Sequence, residues 1–545
     1  MSSQYDILMN PELVICLSPA LCTIEKFIRH VWRSPIPPVD LNQTLQLAAI
    51  DLGSNSFRLE VGRADGGQIY VLDSLRSNVR LAAGLGPGKR LDAPSQERGL
   101  EALSQFAQRI AGFDPVRVRA VATNTLRVAK NAGEFIARAE RVLGFPVEVI
   151  AGREEARLIF SGVAHSVPVD DDRRLVVDIG GGSTEFSVGS GLEPGLMESL
   201  YMGSIHHTLT HFAGGFIDEF TMKQAELAAR RELQVISSGI MASGWRSAIA
   251  SSGTARTIGR ILRENQICET GISAAGMRWL RKRLLAAGRI DRLALAGLKP
   301  DRALNLPGGF AIMAGVFAEL RIEHVQVADN ALRLGVLYDL LSRLAAPNTV
   351  RDKREDSVAH FEQRYRTDKA QSARVASLAT RFAHDLQAQF LNAHAELPRY
   401  IDWAARLHET GLTIAHNGYH KHSAYIIANA DMPGFSRDEQ KRLATLILGH
   451  NGKLPKLARE PVPQPLWLAL ACLRLAALVH RGRRPLDLPD MHLALDGKRL
   501  RLHVDEEWLR ASPLTEYSLD QERKLWHALG DERPFAFSVE QAVSA

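Results

Sequence analysis

The chain has 545 residues, 46% hydrophobic and 23% charged, which is too long for one core and ordinary for a globular protein, so three or four domains of about 100–200 residues are expected. Its formal charge of +6 is modest for this size, but the excess gathers at Arg278, Arg281, Lys282 and Arg283 and at Arg481, Arg483 and Arg484, as solvated helix faces or as attractors of polyanions. Four cysteines (Cys16, Cys22, Cys268, Cys472) make neither a disulfide framework nor a C-x-x-C pair, and neither an apolar run of about 18 residues nor a signal-peptide pattern is seen. A cytoplasmic protein without a membrane partner is expected.

Residues 1–46 are interrupted by Pro11, Pro19, Pro35, Pro37 and Pro38, with a short helix predicted over Thr23–Trp32. The first organised stretch, Ile50–Gly62, reads IDLGSNSFRLEVG, an apolar strand, a turn of small residues and a second strand. Tyr70–Leu81 should extend its sheet, Pro94–Ala111 has helical spacing, and Val116–Ala122 alternates as a buried strand. That strand runs into Thr123, Asn124, Thr125, Leu126 and Arg127, where hydroxyls and an arginine suit either oxyanion contacts or a plain helix N-cap. Asn131–Leu143 reads as helix, Val147–Ile150 as strand, and Ala151–Ser161 as a turn entering a helix with Glu154 and Glu155 in its first turn. The helix dipole favours acidic residues there, so the pattern alone leaves a functional and a structural glutamate unseparated.

Leu175–Gly189, LVVDIGGGSTEFSVG, echoes the first stretch. Sliding Ile50–Gly62 onto Val177–Gly189 pairs Asp51 with Asp178, Gly53 with Gly180, Ser56 with Ser183, Val61 with Val188 and Gly62 with Gly189. Two such hairpins predict related halves facing each other across a cleft. Small residues let backbone N–H groups approach an anion, so Gly53, Ser54, Asn55 and Ser56 form one candidate phosphate loop and Gly180, Gly181, Gly182, Ser183 and Thr184 the other. Asp178 and Glu185 beside such a cradle make physical sense with a divalent cation between them.

An apolar piece around Met197–Met202 and a long helix from Thr221 to Leu233 follow. Ala248–Gly259 (AIASSGTARTIG) repeats strand, small hydroxyl residues and helix as a third candidate ligand loop. Leu306–Leu320 is an apolar helix, Val325–Leu340 supplies a strand and a helix, and the alternation up to about residue 345 means α/β. Pro347–Asp356, polar and without apolar periodicity, is read as a linker. Helices are then predicted over Lys369–Phe390, Tyr400–Thr410, Ser423–Ala430, Arg437–Leu448 and Pro465–His480. His384, His394, His408, His416, His420, His422, His450 and His480 concentrate there and could ligate a metal. His492–Val504 is a hairpin turning at Asp496-Gly497.

AAIDLGSNSFRLEV, ATNTLR, AGREEARLIFSG and LVVDIGGGSTEFSV, in that order, with SSGTART and NLPGGFAIMAGV behind them, resemble the exopolyphosphatase and guanosine pentaphosphate phosphohydrolase family. The resemblance implies the actin, sugar-kinase and Hsp70 fold: α/β, with duplicated ribonuclease-H-like (actin-type) domains around a cleft, then an all-α HD-like domain and a small β-containing C-terminal appendage. The expected divisions are 1–46, 47–164, 165–347, 348–484 and 485–545. It implies Glu155 as the catalytic glutamate, Arg127 as an arginine approaching phosphate, magnesium on Asp178 and Glu185, and a metal or water-bridging role for Asp51. LHETGLTIAHNGYHKHSAYIIANADMPGFS resembles an HD-type domain, yet Glu409 follows His408 where an aspartate is needed and no histidine stands near Gln371, which argues against a second hydrolase site.

The expected activity is processive release of terminal orthophosphate from inorganic polyphosphate. The alternatives are hydrolysis of guanosine pentaphosphate to the tetraphosphate, or an ATP-dependent kinase or nucleotide sensor of the same fold. A homodimer is implied and no nucleic-acid partner is expected. Lys441, Arg442, Lys453, Lys456, Arg481, Arg483 and Arg484 are expected to offer a track to a long polyanion.

Overall fold

Short runs of apolar residues broken by the Gly53–Ser56 turn fold back on themselves in the computed structural model. It describes residues 45–542 apart from 66, 168–171, 345–351, 387–395, 458–461 and 531–533. The helix predicted at Thr23–Trp32 lies outside the described residues. β1 (Leu45–Leu52), β2 (Phe57–Asp65) and β3 (Gln68–Ser77) form an antiparallel meander, and β4 (Val118–Ala122) and β5 (Val147–Val149) add in parallel beyond β1, giving the order β3-β2-β1-β4-β5. All of β4 is buried, as expected of a central parallel strand covered on both faces.

The second half repeats the plan. β6 (Arg174–Ile179), β7 (Thr184–Ser190) and β8 (Glu193–Leu200) form the meander, and β9 (Ser247–Ser251) lies parallel to β6. The short β10 (Ile272–Ser273) and then β11 (His324–Val327) complete the order β10-β11-β9-β6-β7-β8. The repeat extends to its irregularities: the register shifts between Val61 and Gly62 in one hairpin and between Val188 and Gly189 in the other, positions that the sequence alignment pairs. A Cβ on Gly189 would lie 2.2 Å from Glu193 O, so the bulge itself requires glycine there.

The halves are joined by crossed helices. Helix Gly152–Ala164 packs on β7 and β8 and against helix Leu332–Leu344, which returns to cover β1 with Val336, Leu337, Leu340 and Leu341. The crossing is close because two glycines meet: a Cβ on Gly162 would lie 1.9 Å from Ala331 O, and one on Gly335 1.8 Å from Leu158 O.

Where a linker over Pro347–Asp356 is predicted, helix Lys353–Arg364 already begins, with the Asp352 carboxylate accepting from Arg354 N. In the described end of the polar run Arg354 is 1% exposed and pairs with Asp352, Glu396 and Glu439, while its neighbours are half-buried. Helices Lys369–Asp385, Leu397–Leu407, Tyr419–Asn429, Arg437–Gly449 and Gln464–Val479 follow. The segment Gln464–Gly482 is long and apolar enough to cross a membrane, but 78% of its apolar window is buried inside the protein, as befits a helix surrounded by others.

The hairpin forms as β12 (His492–Asp496) and β13 (Arg499–Asp505), with Gly497 left-handed at the turn (φ 58°). Helices Glu506–Ala511 and Pro513–His527 and strand β14 (Ala536–Ala542), parallel to β13, complete this part. Leu493, Leu500, Leu502 and Trp526 share one buried cluster with the preceding helices, so hairpin and helices have a common core.

A buried ionic network fastens the helical part to the α/β halves. Asp339 accepts from Arg119, Arg157 and Arg343, Arg343 donates to Gly434 O at 2.7 Å, and Arg354 donates to Glu439 at 2.7 Å. The surrounding arginines hold the Asp339 carboxyl well below the usual carboxylate range, against its desolvation. Gly335→Ala should lower stability by about 2 kcal/mol or more, because backbone must move where the helices cross. An unchanged melting temperature would show that the crossing can open without cost.

Candidate active site

Cross-strand registry builds the site. In the second half, Ser251, Asp178, Glu185 and Ser199 stand side by side across β9, β6, β7 and β8, so their side chains share one face. Ser251 Oγ donates to Asp178 Oδ2, and Ser199 Oγ donates to Glu185 Oε1 at 2.9 Å. The equivalent row in the first half is Val121, Asp51, Arg58 and Arg76. The duplication therefore places an arginine beside one aspartate and a glutamate beside the other.

The turns beyond these rows meet. A Cβ on Gly182 would lie 2.5 Å from Asn124 Oδ1, and one on Gly181 3.2 Å from the Ser54 Cβ. None of Gly53, Gly180, Gly181 and Gly182 has a left-handed φ, so it is close approach rather than backbone strain that requires glycine at Gly182. Helix Ser204–His211 presses on the same loop: Ser204 N donates to Gly180 O at 2.9 Å and Ile205 N to Gly181 O at 3.0 Å. In the first loop Thr125 Oγ1 donates to Ser54 Oγ at 2.7 Å.

The cleft is lined by Asp51, Gly53, Ser54, Asn55, Ser56, Asp178, Gly180, Gly181, Gly182, Ser183 and Glu155 among the residues selected from sequence. Three others stand elsewhere. Thr184, taken as part of the second loop, is fully buried and donates to Met202 O; it aligns with buried Phe57, an inward strand position. Glu185 lies one strand back from the cleft, beside Asp178. Arg127, expected to approach phosphate, does not line the cleft; its guanidinium bonds Glu155 Oε2 at 3.1 Å and Ile150 O at 2.9 Å.

The adjacent glutamates separate cleanly. Glu154 is 2% exposed, accepts two 2.8 Å bonds from Arg157, and accepts from Gly434 N of the helical part. Glu155, one helical step on, faces the cleft. Desolvation pushes its carboxyl up to about 7 even though Arg127 opposes the shift, and desolvation likewise lifts Asp51 to about 6 and raises Asp178 and Glu185.

Against these carboxylates the cleft sets Arg58, Arg256, Arg302 and Arg333, with Ser204, Ser252, Gly253, Thr254 and Asp329. Desolvation and neighbouring arginines push Arg58 down to about 9 and Arg302 to about 10. A cation crowded by other cations is completed by an anion. Ser252–Arg256, expected in a third loop, is instead the first turn of helix Ser252–Glu264, which follows β9 directly. Arg58 could have been found by aligning it with Glu185, but Arg302 and Arg333 come from distant segments with no local signal.

In the histidine-rich region His408, His450 and His480 are buried, His420 and His422 half-buried, and His384 and His416 exposed, while His394 lies outside the described residues. His408 Nδ1 and His450 Nδ1 lie 2.6 Å from the carbonyls of Ala405 and Ile447, and His450 Nε2 lies 3.1 Å from the Tyr419 hydroxyl. Arg483 takes up Glu409, and Gln371 donates to His480 O at 2.8 Å. Among the described residues no group of three or more His, Cys, Asp or Glu side chains is arranged to hold a metal ion. None of the basic residues proposed as a track lines the cleft; Lys456 donates to Asn451 O, and Arg483 is ion-paired.

Two mixed sheets of one plan, meeting over facing glycine loops and followed by a helical part, define an actin-like α/β protein. The model of the Ppx/GppA phosphatase family matches residues 61–344, and that of Ppx/GppA phosphatase domain III matches residues 353–523. The chain belongs to the Ppx/GppA phosphatase family. It is 26% identical to an exopolyphosphatase from Cytophaga hutchinsonii over 55% of its own length and 100% of that chain, with a TM-score of 0.51. An exopolyphosphatase-like protein matches with 26% identity, 56% and 99% coverage and a TM-score of 0.51. A family member from Aquifex aeolicus matches with 27% identity, 55% and 99% coverage and a TM-score of 0.47.

The carboxylates make the cleft costly to ionise. Asp51 sits at about 6 in the fold against an ordinary 3.8, so the native state holds its proton more tightly and loses stability as pH rises through that window. Asp51→Asn in the ligand-free protein with chelator should therefore be more stable than the parent at pH 8, by about 1–3 kcal/mol, and similar at pH 4. Thermal unfolding at both pH values checks this; a variant less stable at pH 8 would mean that ionised Asp51 is favourably held.

Proposed function

We propose that this cleft hydrolyses terminal phosphoanhydride bonds of inorganic polyphosphate, as an exopolyphosphatase. The observation that carries the reading is Glu155, a carboxyl lifted to about 7 and held by Arg127, facing two glycine loops and four arginines in one cleft. The 26% identity to an exopolyphosphatase over that protein's whole length supports the same chemistry.

The loop Gly53–Ser56 and the loop Gly180–Ser183 present backbone N–H groups and serine hydroxyls to the terminal phosphoryl group. Arg58, Arg256, Arg302 and Arg333 neutralise the chain behind it. Glu155 orients a water and takes its proton as the water oxygen bonds to phosphorus; the bridging P–O bond breaks, and orthophosphate and a chain shorter by one unit result. A general base near neutrality suits this step. Arg127 keeps the carboxylate aimed without touching substrate.

The residues present suit magnesium. Asp51 Oδ1 is a buried acceptor without a hydrogen-bond partner, and the nearby donors, Asp178 and Glu185, are all oxygens. Among the described residues no three such side chains are arranged to hold a metal ion, which accords with an ion that takes one or two carboxylates and fills its shell with phosphate oxygens and water. Asp51 and Asp178, which line the cleft, would hold it, with Glu185 one strand back beside Asp178, and when bound it would supply positive charge to the phosphoryl oxygens.

Glu155→Gln should lower kcat by about 10²- to 10⁴-fold while polyphosphate still binds; wild-type turnover in this variant would overturn the assignment. Since the base form is required, kcat/KM should rise with pH along an acid limb near 7, and Glu155→Gln should lose that limb. Comparing kcat/KM for long polyphosphate and guanosine pentaphosphate on one preparation decides between substrates. The expected preference is for polyphosphate, and a reversed preference would make the nucleotide the substrate.

A further inference from the structure

The cleft continues past Arg256. A second cavity of about 570 Å³ opens beside it and shares Arg256 and Asp329 with it. Its long wall is helix Ser252–Glu264, whose first residues, Ser252 to Thr254, enter the cleft. Arg256, Arg260 and Arg263 line the second cavity; at i, i+4 and i+7 they form one stripe about 10 Å long.

The rest of the cavity is kept open by small residues. A Cβ on Gly259 would stand 3.1 Å from Val327 Cγ2, and one on Gly271 2.3 Å from Val325 O. His324, with Nε2 at 2.9 Å from Thr270 O, and Gln326 complete the wall. Arg256 donates to Asp329 O and Arg260 to Gly297 O, both backbone acceptors, while Arg263 is exposed and its guanidinium has no hydrogen-bond or ion-pair partner among the described residues. Glu269 and Asp329 also line the cavity and are both exposed, and neither forms an ion pair with the stripe among the described residues.

Three guanidinium groups in a row, none of them ion-paired with a carboxylate, call for an anion with several acceptor oxygens at matching spacing. We propose that this pocket is a second anion subsite, in which Arg256, Arg260 and Arg263 hold phosphate groups of the substrate beyond the bond being cleaved. This rests on the phosphoanhydride hydrolase reading above. A long chain then occupies cleft and stripe together, whereas a short oligophosphate fills only the cleft, so the subsite selects for length and retains the shortened chain between turnovers.

The test uses the full chain with Arg260→Gln plus Arg263→Gln, with Arg263→Gln alone as a change at an exposed position, and with long polyphosphate and tripolyphosphate as substrates. The ratio of kcat/KM for the long chain to that for tripolyphosphate should fall by about tenfold or more in the double variant. It should fall by a smaller factor in the single variant, and the salt dependence of the long-chain KM should become shallower. Arg231→Ala, on the exposed face of helix Glu219–Ser243, should leave the ratio unchanged. An unchanged ratio in the double variant, or an equal loss on both substrates, overturns the subsite while leaving the hydrolase reading intact. If the parent protein releases no phosphate from polyphosphate or from guanosine pentaphosphate, the functional reading falls and the subsite with it. If only the nucleotide is hydrolysed, an unchanged KM for it in the double variant overturns the subsite.

Discussion

The whole arrangement depends on how closely two turns approach each other. Gly181 and Gly182 of one half lie against Ser54, Asn55 and Asn124 of the other with no room for a Cβ on Gly182. A side chain on Gly182 would have to displace the Asn124 amide and the Ser54 hydroxyl, which pack this loop against the first half near the aspartates one residue short of the ends of β1 and β6. The same economy of volume recurs where helices Gly152–Ala164 and Leu332–Leu344 cross through Gly162 and Gly335. Interiors are packed too densely to absorb such changes locally, so spacing at the loops and spacing at the helix crossing are coupled through one rigid joint.

Within that joint, two consecutive glutamates serve opposite ends of the molecule. A helical step of about 100° separates their side chains. It turns Glu154 toward Arg157 and the Gly434 amide of the helical part and Glu155 toward the cleft and Arg127. The helical part is thereby connected by hydrogen bonds to the segment that carries the cleft carboxyl. Buried ionic networks of this kind cost desolvation but hold one geometry when every member is paired; Asp339 carries three arginines and Arg354 three carboxylates.

The cleft itself is organised in the opposite sense, with its charges left incompletely compensated. Asp51, Glu155, Asp178 and Glu185 are all raised above their ordinary values by desolvation, and Arg58, Arg256 and Arg302 are all lowered. Perturbation in both directions within one cavity marks a place where stability has been given up for chemistry. The duplicated halves make this asymmetric, since Arg58 and Glu185 occupy equivalent positions beside Asp51 and Asp178. One half thus presents a positive neighbour and the other a second carboxylate.

Local sequence was enough to define the hairpins, their repeat, the strand-to-helix step at β9 and most helices, because apolar periodicity and glycine-rich turns act over a few residues. It even contained the equivalence of Gly62 with Gly189 that appears as matching bulges. It also held the clue that Thr184, aligned with Phe57, faces inward. Periodicity could not reveal that Arg354, inside a charged run, is buried, since its burial depends on Glu396 and Glu439 arriving from elsewhere. Nor could it separate Glu154 from Glu155, show Arg127 standing behind Glu155, or gather Arg302 and Arg333 into the cleft. Those facts are long-range: each requires side chains from segments far apart in the chain to meet, and only packing brings them to the same point.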